Sequence, residues 1–230
     1  MIKLNKRTPG YGGRGGRYAG CKSTLDACAA LAAILLLSPL LLFISFGIRC
    51  TSPGPVLFRQ VRLGRGMEPF LVYKFRTMSC RAPRELATAQ LTAPERYITR
   101  FGAFLRKTSL DELPQLFNVL RGEMSLIGPR PVVLTEGELI SRRACAGVYR
   151  VKPGISGLSQ VRGRDLLNNE EKTRLDGEYA GGLSPWRDAV LLLATVISVL
   201  FRYGIREGQS AAFPSSYAEE GGDDLVRKRI

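Results

Sequence analysis

The chain has 230 residues, with 34 lysines and arginines, 20 aspartates and glutamates, and no histidine, which gives a formal net charge of +14. The lack of histidine excludes a Ser-His-Asp triad, a Cys-His pair and any His-ligated metal, so catalysis would depend on carboxylate, Lys, Arg, Cys, Ser or Tyr side chains. The positive charge predicts an anionic partner, such as nucleic acid, a phosphorylated substrate or an acidic lipid surface. The five cysteines are odd in number and include no Cys-x-x-Cys pair, which indicates free, reduced thiols.

The first segment of the chain is rich in glycine and basic residues. Residues 1–20 contain six glycines and five basic residues without an acidic one, and such a composition supplies too few apolar side chains for a core. We therefore expect a flexible basic tail. Its sequence has two interpretations, a tail that lies near an anionic membrane or substrate, which we favour, and a segment that binds single-stranded RNA.

A long uncharged segment, residues 27–48, separates Asp26 from Arg49. As a straight helix it would be about 33 Å long, enough to cross the hydrocarbon core of a bilayer. Pro39 lies near its middle, directly after Ser38, and removes a helical hydrogen bond. Basic residues flank both ends, and the positive-inside rule then places both ends in the cytoplasm. From the residues alone, two interpretations are equally favoured: a spanning helix and a kinked, re-entrant helix.

The following region has the pattern of a mainly helical α+β domain with a small β-hairpin. The alternating runs at residues 56–61 and 70–75 predict the two strands of the hairpin. Residues 99–107 predict a basic amphipathic helix, and residues 114–121 predict a second helix that ends at Gly122. Residues 81–98 between hairpin and helix read as a polar loop or short helices.

The last apolar run, residues 189–201, is too short to span a bilayer. With Trp186 and Tyr203 at its ends it suits a helix at the bilayer surface, and on pattern alone an ordinary core helix is equally open. The predicted organisation has four segments: a flexible tail at 1–20, a membrane helix at 21–50, a cytoplasmic domain at 51–205 and a polar C-terminal tail at 206–230.

The densest group of candidate functional residues surrounds Asp111 and Glu112. Ser109 and Glu112 have the spacing of a helix capping box, whereas Pro114 suits the first position of a helix and would leave the acids just ahead of it. Capping or a plain surface position is one interpretation. The other is a phosphate site, in which one carboxylate holds Mg²⁺ against a diphosphate while the other attacks phosphorus. The basic residues that favour the second interpretation, and that would keep Asp111 ionised, are Arg106, Lys107, Arg121 and Arg130.

Five stretches occur in a specific order: SPGPVLF at 52–58, KFRTM at 74–78, TRFG at 99–102, the segment 105–131 that ends in LIGPRP, and VKPGISGLSQVRGR at 151–164. This series resembles the bacterial sugar transferases, the small monotopic phosphoglycosyl transferases that move a hexose-1-phosphate onto a polyprenyl phosphate. The resemblance covers about residues 22–205. A lone Asp-Glu-Leu-Pro would be a weak signal, but the ordered series is specific.

The resemblance implies an enzyme that transfers a sugar-1-phosphate from a UDP-sugar to undecaprenyl phosphate, in the first membrane step of a surface glycan pathway. Asp111 would be the nucleophile that displaces UMP and forms a phosphosugar-aspartyl intermediate. Glu112, together with Asp111, would bind Mg²⁺. The residues implied in substrate binding are Lys74, Arg76, Arg106, Arg130, Gln160 and Arg164.

The resemblance also favours the re-entrant form of the membrane helix. Ser38 and Pro39 match the break in the family's re-entrant helix, and Lys22 and Asp26 match the interfacial residues at its start. The implied protein is monotopic on the cytoplasmic face of the bacterial inner membrane, beside anionic lipid, without a nucleic-acid partner and with a homodimer as a candidate assembly. Two non-enzymatic alternatives are a membrane-attached nucleic-acid-binding protein and a non-catalytic membrane scaffold.

Overall fold

The computed structural model describes residues 14–83, 93–163 and 166–200. The first thirteen residues of the basic tail, the centre of the polar loop, Arg164 and the C-terminal tail therefore lie outside the described residues. The described part is mainly helical with a small antiparallel sheet, as predicted. All five cysteines are exposed and none forms a disulfide, in accord with the prediction of reduced thiols.

Helix α1, Arg14–Thr51, is 38 residues long. Its part Tyr18–Thr51 is the one helix of the described chain that is long and apolar enough to cross a membrane, with a mean hydropathy of 2.6. Many of its large apolar side chains face outward rather than into a core, and Leu36 is 80% exposed. Exposed apolar surface on this scale is costly in water, so the helix indicates membrane association.

Pro39 lies inside α1, and the helix continues through it. Proline lacks the N–H group that would bond the carbonyl four residues earlier, which here belongs to Leu35. The Ser38 hydroxyl donates to the Leu35 carbonyl at 2.8 Å. Ser38 thus satisfies the carbonyl that Pro39 leaves without its helical partner, while the re-entrant path of the helix stays a prediction.

The start of α1 differs from the predicted organisation. Residues 14–20 were expected in the flexible tail, but they form the first turns of the helix. Glycine disfavours helix by about 1 kcal/mol per residue relative to alanine, so local propensity does not explain this start. A tertiary contact accounts for it, because the Tyr18 hydroxyl donates to Asp188 Oδ2 at 2.6 Å.

The predicted hairpin is confirmed as β1, Leu57–Leu63, paired antiparallel with β2, Pro69–Phe75. A short strand β4, Val132–Val133, pairs with the other edge of β1, so the sheet order is β2-β1-β4. Phe58 lies opposite Lys74 in this register. Side chains alternate between the faces of a strand, and the register therefore decides which basic residues share one face.

Helices α2, Arg100–Lys107, and α3, Gln115–Leu120, match the two predicted helices. A 3₁₀ turn, Leu110–Glu112, connects them. Pro114 directly precedes α3 with a helical φ of −61°, in accord with a helix start at this proline. Ser109 has no side-chain capping bond at the turn, so the capping-box interpretation of Ser109 and Glu112 is wrong.

The rest of the domain consists of short elements and two longer helices. These are β3 (Ser125–Ile127), α4 (Gly137–Cys145), β5 (Gly154–Ser156), α5 (Leu158–Arg162), α6 (Asn169–Gly181) and α7 (Pro185–Leu200). Strands β3 and β5 pair in parallel. Asn168 and Glu171 form a capping box at the start of α6.

The segment after β3 crosses the backbone of β5 at very short range. Gly128 N donates to Ser156 O at 2.7 Å, and Gly154 N donates to Pro129 O at 2.9 Å. A Cβ atom on Gly154 would lie 2.1 Å from Gly128 N, so a larger residue would push these two backbone segments apart. This close approach fixes the backbone directly before Arg130.

Helix α1 packs against one folded body along its length. Ala30 joins a core cluster with Val72 and Leu116. Nearer its C-terminal end, Ile44 and Ile48 pack in a cluster with Phe75 and Leu105. A third cluster lies around α6 and α7 and contains Ile127, Leu158, Leu175, Tyr179 and Leu191.

A buried polar network joins the beginning of α1 to α7. Lys22 Nζ lies 2.5 Å from Asp188 Oδ2 and 3.2 Å from Asp26 Oδ2. Ser125 Oγ donates to Asp26 at 2.5 Å, and the Tyr179 hydroxyl donates to Asp188 at 2.8 Å. The two residues expected at a membrane interface thus also connect α1 with the domain.

Helix α7 combines the two interpretations of its sequence. Asp188 and Leu191 on its inner face are buried in the domain. Its outer face carries large apolar side chains that remain exposed, namely Trp186, Val190, Leu193, Val196 and Ile197. The helix therefore both contributes to the core and presents an apolar surface outward.

We expect Asp188→Asn to destabilise the protein, because it removes one of the two carboxylates that face the buried Lys22. Breaking a buried ion pair costs about 3–5 kcal/mol. Since Asp26 remains 3.2 Å from Lys22, we expect the lower end, a loss of about 3 kcal/mol in the free energy of unfolding. Circular dichroism of the protein in detergent, followed through denaturant unfolding, measures this loss.

Glu178→Gln is the matched control, since it neutralises a carboxylate that is 53% exposed and pairs with Arg187. An exposed pair of this kind contributes at most about 1 kcal/mol. Equal losses in the two variants would show that the network around Lys22 does not hold α1 to the domain.

Candidate active site

Asp111 and Glu112 lie side by side in the 3₁₀ turn between α2 and α3. Ser109 directly precedes this turn and adopts a left-handed conformation with a φ of 55°. Such a conformation is uncommon for a residue with a side chain and costs about 1–3 kcal/mol. Both carboxylates are buried, with 9% of Asp111 and 7% of Glu112 exposed. The turn therefore holds two adjacent acids beneath the surface.

Glu112 is paired with two cations from different parts of the chain. Lys74 Nζ on β2 lies 2.7 Å from Glu112 Oε1, and Arg130 Nη2 lies 3.1 Å from the same oxygen. The hairpin contributes the lysine, and the segment that crosses β5 contributes the arginine. The structure thus brings Lys74, Glu112 and Arg130 into direct contact, as their predicted common site requires.

The balance of charge at Asp111 differs from the sequence-based expectation. Burial raises the pKa of the Asp111 carboxyl above its ordinary value of 3.8, and the neighbouring Glu112 raises it further. Lys74, Arg106 and Arg130 oppose this effect, but the pKa stays raised. The cations were expected to determine the ionisation of Asp111, whereas desolvation is the larger influence.

The cations of the site affect one another as well. Burial lowers the pKa of Lys74, and the charges of Arg130 and Arg62 lower it further, while Glu112 and Asp111 raise it. Arg62 donates to the Pro131 carbonyl at 2.7 Å, and burial lowers its pKa to about 10. A site with this much positive charge is suited to an anionic ligand.

Arg62 is a residue of the site that the sequence analysis did not select. Its register on β1 places it on the same face of the hairpin as Lys74, because Phe58 lies opposite Lys74 and residues two apart share a face. The alternation of side chains along the two predicted strands therefore already indicated that Arg62 and Lys74 lie on one face.

A second ion pair, Arg143–Asp176, is buried and holds the backbone of Arg130 in place. Arg143 donates to the Arg130 carbonyl at 2.6 Å and also pairs with Asp176, whose side chain is 1% exposed. Ser159 Oγ donates to the other Asp176 oxygen at 2.8 Å. Asp176 thus orients Arg143, a residue that the sequence analysis did not select. The pairing joins α6 to α4, two elements whose proximity no local pattern indicates.

The two remaining arginines of the described site have different surroundings. Arg106 Nε donates to Thr77 Oγ1 at 2.9 Å, and the charge of Arg106 acts to lower the pKa of Asp111. Arg76 donates to the carbonyls of Ser52 at 2.7 Å and Pro53 at 2.8 Å. The guanidinium of Arg76 therefore connects β2 with the turn after α1, and a direct role in substrate binding stays a prediction. Arg164 lies outside the described residues.

Gln160 and Glu112 both line a cavity of about 210 Å³. Gln160 Nε2 donates to the Ile155 carbonyl at 2.9 Å. Its Oε1 is buried without a hydrogen-bond partner among the described residues. A buried acceptor without a donor costs free energy, and a hydroxyl or N–H group of a ligand would satisfy it.

The donor set fits Mg²⁺ in the form expected from the sequence. No group of three or more Asp, Glu, Cys and His side chains that could enclose a metal occurs within residues 14–83, 93–163 and 166–200. Mg²⁺ commonly binds through one or two carboxylates together with substrate phosphates rather than in an all-protein cage. Asp111 and Glu112 supply such a carboxylate pair, so a diphosphate would have to complete the coordination.

Comparison with known proteins identifies a family that covers most of the chain. Residues 17–202 match the model of the bacterial sugar transferases. This match includes α1, the hairpin, the Asp111–Glu112 turn and α7. It begins and ends close to the limits of the resemblance noted in the sequence.

Three relatives illustrate the range of similar proteins. A UDP-glucose:undecaprenyl-phosphate glucose-1-phosphate transferase of Caulobacter vibrioides is 44% identical over 78% of this chain and 69% of its own length. A UDP-N-acetylgalactosamine-undecaprenyl-phosphate N-acetylgalactosaminephosphotransferase of Aeromonas hydrophila is 40% identical over 82% of this chain, but the match spans only 46% of that protein. An exopolysaccharide production protein of Rhizobium leguminosarum is 38% identical over 79% of this chain and 96% of its own length.

The raised pKa of Asp111 predicts the effect of Asp111→Asn on stability. The fold favours the protonated carboxyl, so this contribution to stability is fully present below pH 3.8 and is lost as the pH rises through the raised pKa. An asparagine is neutral at every pH. We expect Asp111→Asn to raise the melting temperature at pH 7 relative to the unmodified protein, with a difference that shrinks as the pH falls toward 4.

Glu112→Gln is the paired variant and has the opposite expected sign. It leaves the largely buried Lys74 and the partly exposed Arg130 without the carboxylate that they share, so the melting temperature at pH 7 falls. Thermal unfolding of both variants without substrate, at a series of pH values, measures the two effects. Equal shifts of the same sign would contradict the different charge environments of the two acids.

Proposed function

The chain belongs to the bacterial sugar transferase family, and from that premise we propose that it transfers a sugar-1-phosphate from a UDP-sugar to undecaprenyl phosphate and releases UMP. The relatives from Caulobacter and Aeromonas are named for different sugars but for the same class of donor and the same acceptor. Family membership favours this enzyme over the two non-enzymatic alternatives, a membrane-attached nucleic-acid-binding protein and a non-catalytic membrane scaffold. The observation that carries the proposal is the buried Asp111–Glu112 pair beside Lys74, Arg106 and Arg130.

In the first step, an Asp111 carboxylate oxygen attacks the phosphorus that carries the sugar. The new bond joins this oxygen to phosphorus, and the bond from phosphorus to the bridging oxygen breaks. UMP leaves with the bridging oxygen and its electron pair. The phosphosugar remains on Asp111 as an acyl phosphate, which divides the transfer into two displacements.

In the second step, an oxygen of the polyprenyl phosphate attacks the same phosphorus. The bond to Asp111 breaks, the carboxylate is regenerated, and the product is a polyprenyl-diphosphate sugar. Glu112 is suited to hold Mg²⁺, which supplies neutralisation of the diphosphate charge when bound. Lys74 and Arg130 neutralise charge beside it, since both already contact Glu112.

The environment of Asp111 supports its role as nucleophile rather than metal ligand alone. Its carboxylate is buried and its pKa is raised, so the ionised form is poorly stabilised by the protein and more reactive toward phosphorus. Arg106 and Arg164 are further phosphate contacts in this proposal. Gln160 Oε1 accepts from a hydroxyl or N–H group of a bound substrate in this proposal, because this buried atom has no other partner in the described chain.

We further propose a monotopic arrangement on the cytoplasmic face of the bacterial inner membrane, with α1 re-entrant at Ser38 and Pro39. Support comes from the contacts of α1, since Lys22 near its start and Ile48 near its end both pack against the same domain. A helix that crossed the bilayer would place these contacts on opposite sides. The exposed apolar faces of α1 and α7 would meet lipid, and the basic residues would face anionic headgroups.

Asp111→Asn tests the proposed nucleophile. We expect the rate of UMP release from a UDP-sugar to fall by at least about a thousandfold, because an amide oxygen cannot form the acyl phosphate. The measurement is a screen of UDP-hexoses with Mg²⁺, with and without undecaprenyl phosphate. The loss should occur even when the acceptor is absent, since it affects the first displacement.

Glu138→Gln is the control for that experiment, since its carboxylate is exposed and pairs with Arg142 on α4. It should retain the unmodified rate. A near-normal rate of UMP release by Asp111→Asn would exclude this residue as the nucleophile.

The native cysteines test the membrane arrangement. Cys21 and Cys50 lie near the two ends of α1, and both are exposed. In variants that keep one of them, a membrane-impermeant maleimide should label either cysteine in inverted vesicles and neither in right-side-out vesicles. A variant that keeps only Cys145 on α4, which is also exposed, shows on which side of the membrane the domain lies. Labelling of Cys21 and Cys50 from opposite sides would contradict the re-entrant arrangement.

A further inference from the structure

The cavity beside the carboxylate pair has a mostly apolar wall. Its volume is about 210 Å³, and Ser109 and Glu112 form part of its lining. The apolar part of the wall comes from five elements and from the turn before α3, and it consists of Leu113, Leu116, Leu126, Ile155, Val161 and Leu192. The cavity thus combines an apolar wall with Glu112, a buried carboxylate that contacts Lys74 and Arg130.

The apolar wall is continuous with the outer surface of α7. Leu192 lines the cavity and is also 47% exposed. The neighbouring Leu193 and Val196 on the same helix are exposed as well. An apolar chain that lies against the outer face of α7 can therefore reach the cavity without crossing a polar surface.

The chemistry of the cavity selects one kind of occupant. Lys74 and Arg130 beside Glu112 suit a phosphate, and the leucine-rich wall suits a hydrocarbon chain. A sugar ring carries several hydroxyls that need hydrogen-bonding partners, whereas the hydroxyls of Ser156 and Thr195 in the wall are already bonded to each other at 2.6 Å. Gln160 Oε1 adds a single acceptor without a partner among the described residues, which suits the one hydroxyl of a singly protonated phosphate. The combination fits an amphiphile with a phosphate head and an apolar chain.

The size of the cavity limits how much of the chain it holds. A dry apolar cavity of about 150 Å³ accepts a six-carbon benzene molecule. A volume of about 210 Å³ therefore accommodates roughly one to two five-carbon isoprene units. The remaining units of a long polyprenyl chain would lie outside, along α7 and in the bilayer.

We infer that this cavity binds the isoprene units next to the phosphate of the polyprenyl acceptor. The inference rests on the proposed function and adds to it a binding site for the chain. Leu192 contacts the chain at the point where it leaves the cavity. Recognition of the acceptor then depends on its first units as well as on its phosphate.

The test compares two adjacent leucines of α7 in the full chain in detergent. Leu192→Gln places an amide in the cavity wall, whereas Leu193→Gln places the same amide on the outer face, where Leu193 is 63% exposed. The probe is farnesyl phosphate, whose short chain depends little on the bilayer. Its equilibrium dissociation constant is measured directly, so the result does not depend on catalysis.

We expect Leu192→Gln to raise the dissociation constant of farnesyl phosphate about tenfold or more, since single-group changes in an apolar pocket have effects of this size. Leu193→Gln should change it less than about twofold. In turnover assays the Michaelis constant for undecaprenyl phosphate should follow the same pattern. Release of UMP without acceptor should be unchanged in both variants.

Two results would overturn the inference. One is an equal dissociation constant for farnesyl phosphate in the two variants. The other is a Leu192→Gln defect in acceptor-free UMP release, which would assign the cavity to the donor. If the unmodified protein released no UMP from any UDP-hexose but still bound farnesyl phosphate with the expected difference, the proposed reaction would fail and the chain site would stand.

Discussion

Two adjacent carboxylates are buried in a three-residue turn, and the burial of negative charge is costly unless cations face it. Lys74 from the hairpin and Arg130 from the segment that crosses β5 meet this requirement at Glu112. The position of each cation depends on distant parts of the chain. The register of β1 and β2 sets Lys74, while the close crossing at Gly128 and Gly154 sets the backbone of Arg130. The small sheets of the domain thus serve mainly to bring positive charge to the turn.

Glu112 and Asp111 have different charge environments in this arrangement. Glu112 shares one oxygen between two cations, whereas burial keeps the pKa of Asp111 raised in spite of the same neighbours. Protein sites often sacrifice stability for reactivity in this way. A carboxylate that the protein stabilises poorly is suited to attack phosphorus, and a carboxylate that is held firmly is suited to orient a metal and a diphosphate. The difference between the acids is the physical basis of the roles proposed for them.

Much of this arrangement could be predicted from sequence, and the failures have physical causes. The hairpin, α2 and α3 follow from strand alternation, an amphipathic helical pattern and the proline at 114, and all three are confirmed. The start of α1 was missed, because Tyr18 stabilises glycine-rich turns through a contact with Asp188 that is 170 residues away. Arg143 was missed for a similar reason, since its pairing with Asp176 joins separate helices. Charged neighbours of Asp111 were visible in the sequence, but its burial was not, so the sequence overestimated the influence of the cations.

The central claim is that Asp111, and not Glu112, carries the phosphosugar between the two displacements. The direct measurement incubates the unmodified protein with Mg²⁺ and a labelled UDP-sugar in the absence of polyprenyl phosphate, followed by peptide mass spectrometry at mildly acidic pH. The account predicts one labelled peptide, with the added sugar-phosphate mass on Asp111, and loss of the label when undecaprenyl phosphate is added. Stoichiometric UMP release without any labelled residue, or with the label on Glu112, would contradict it.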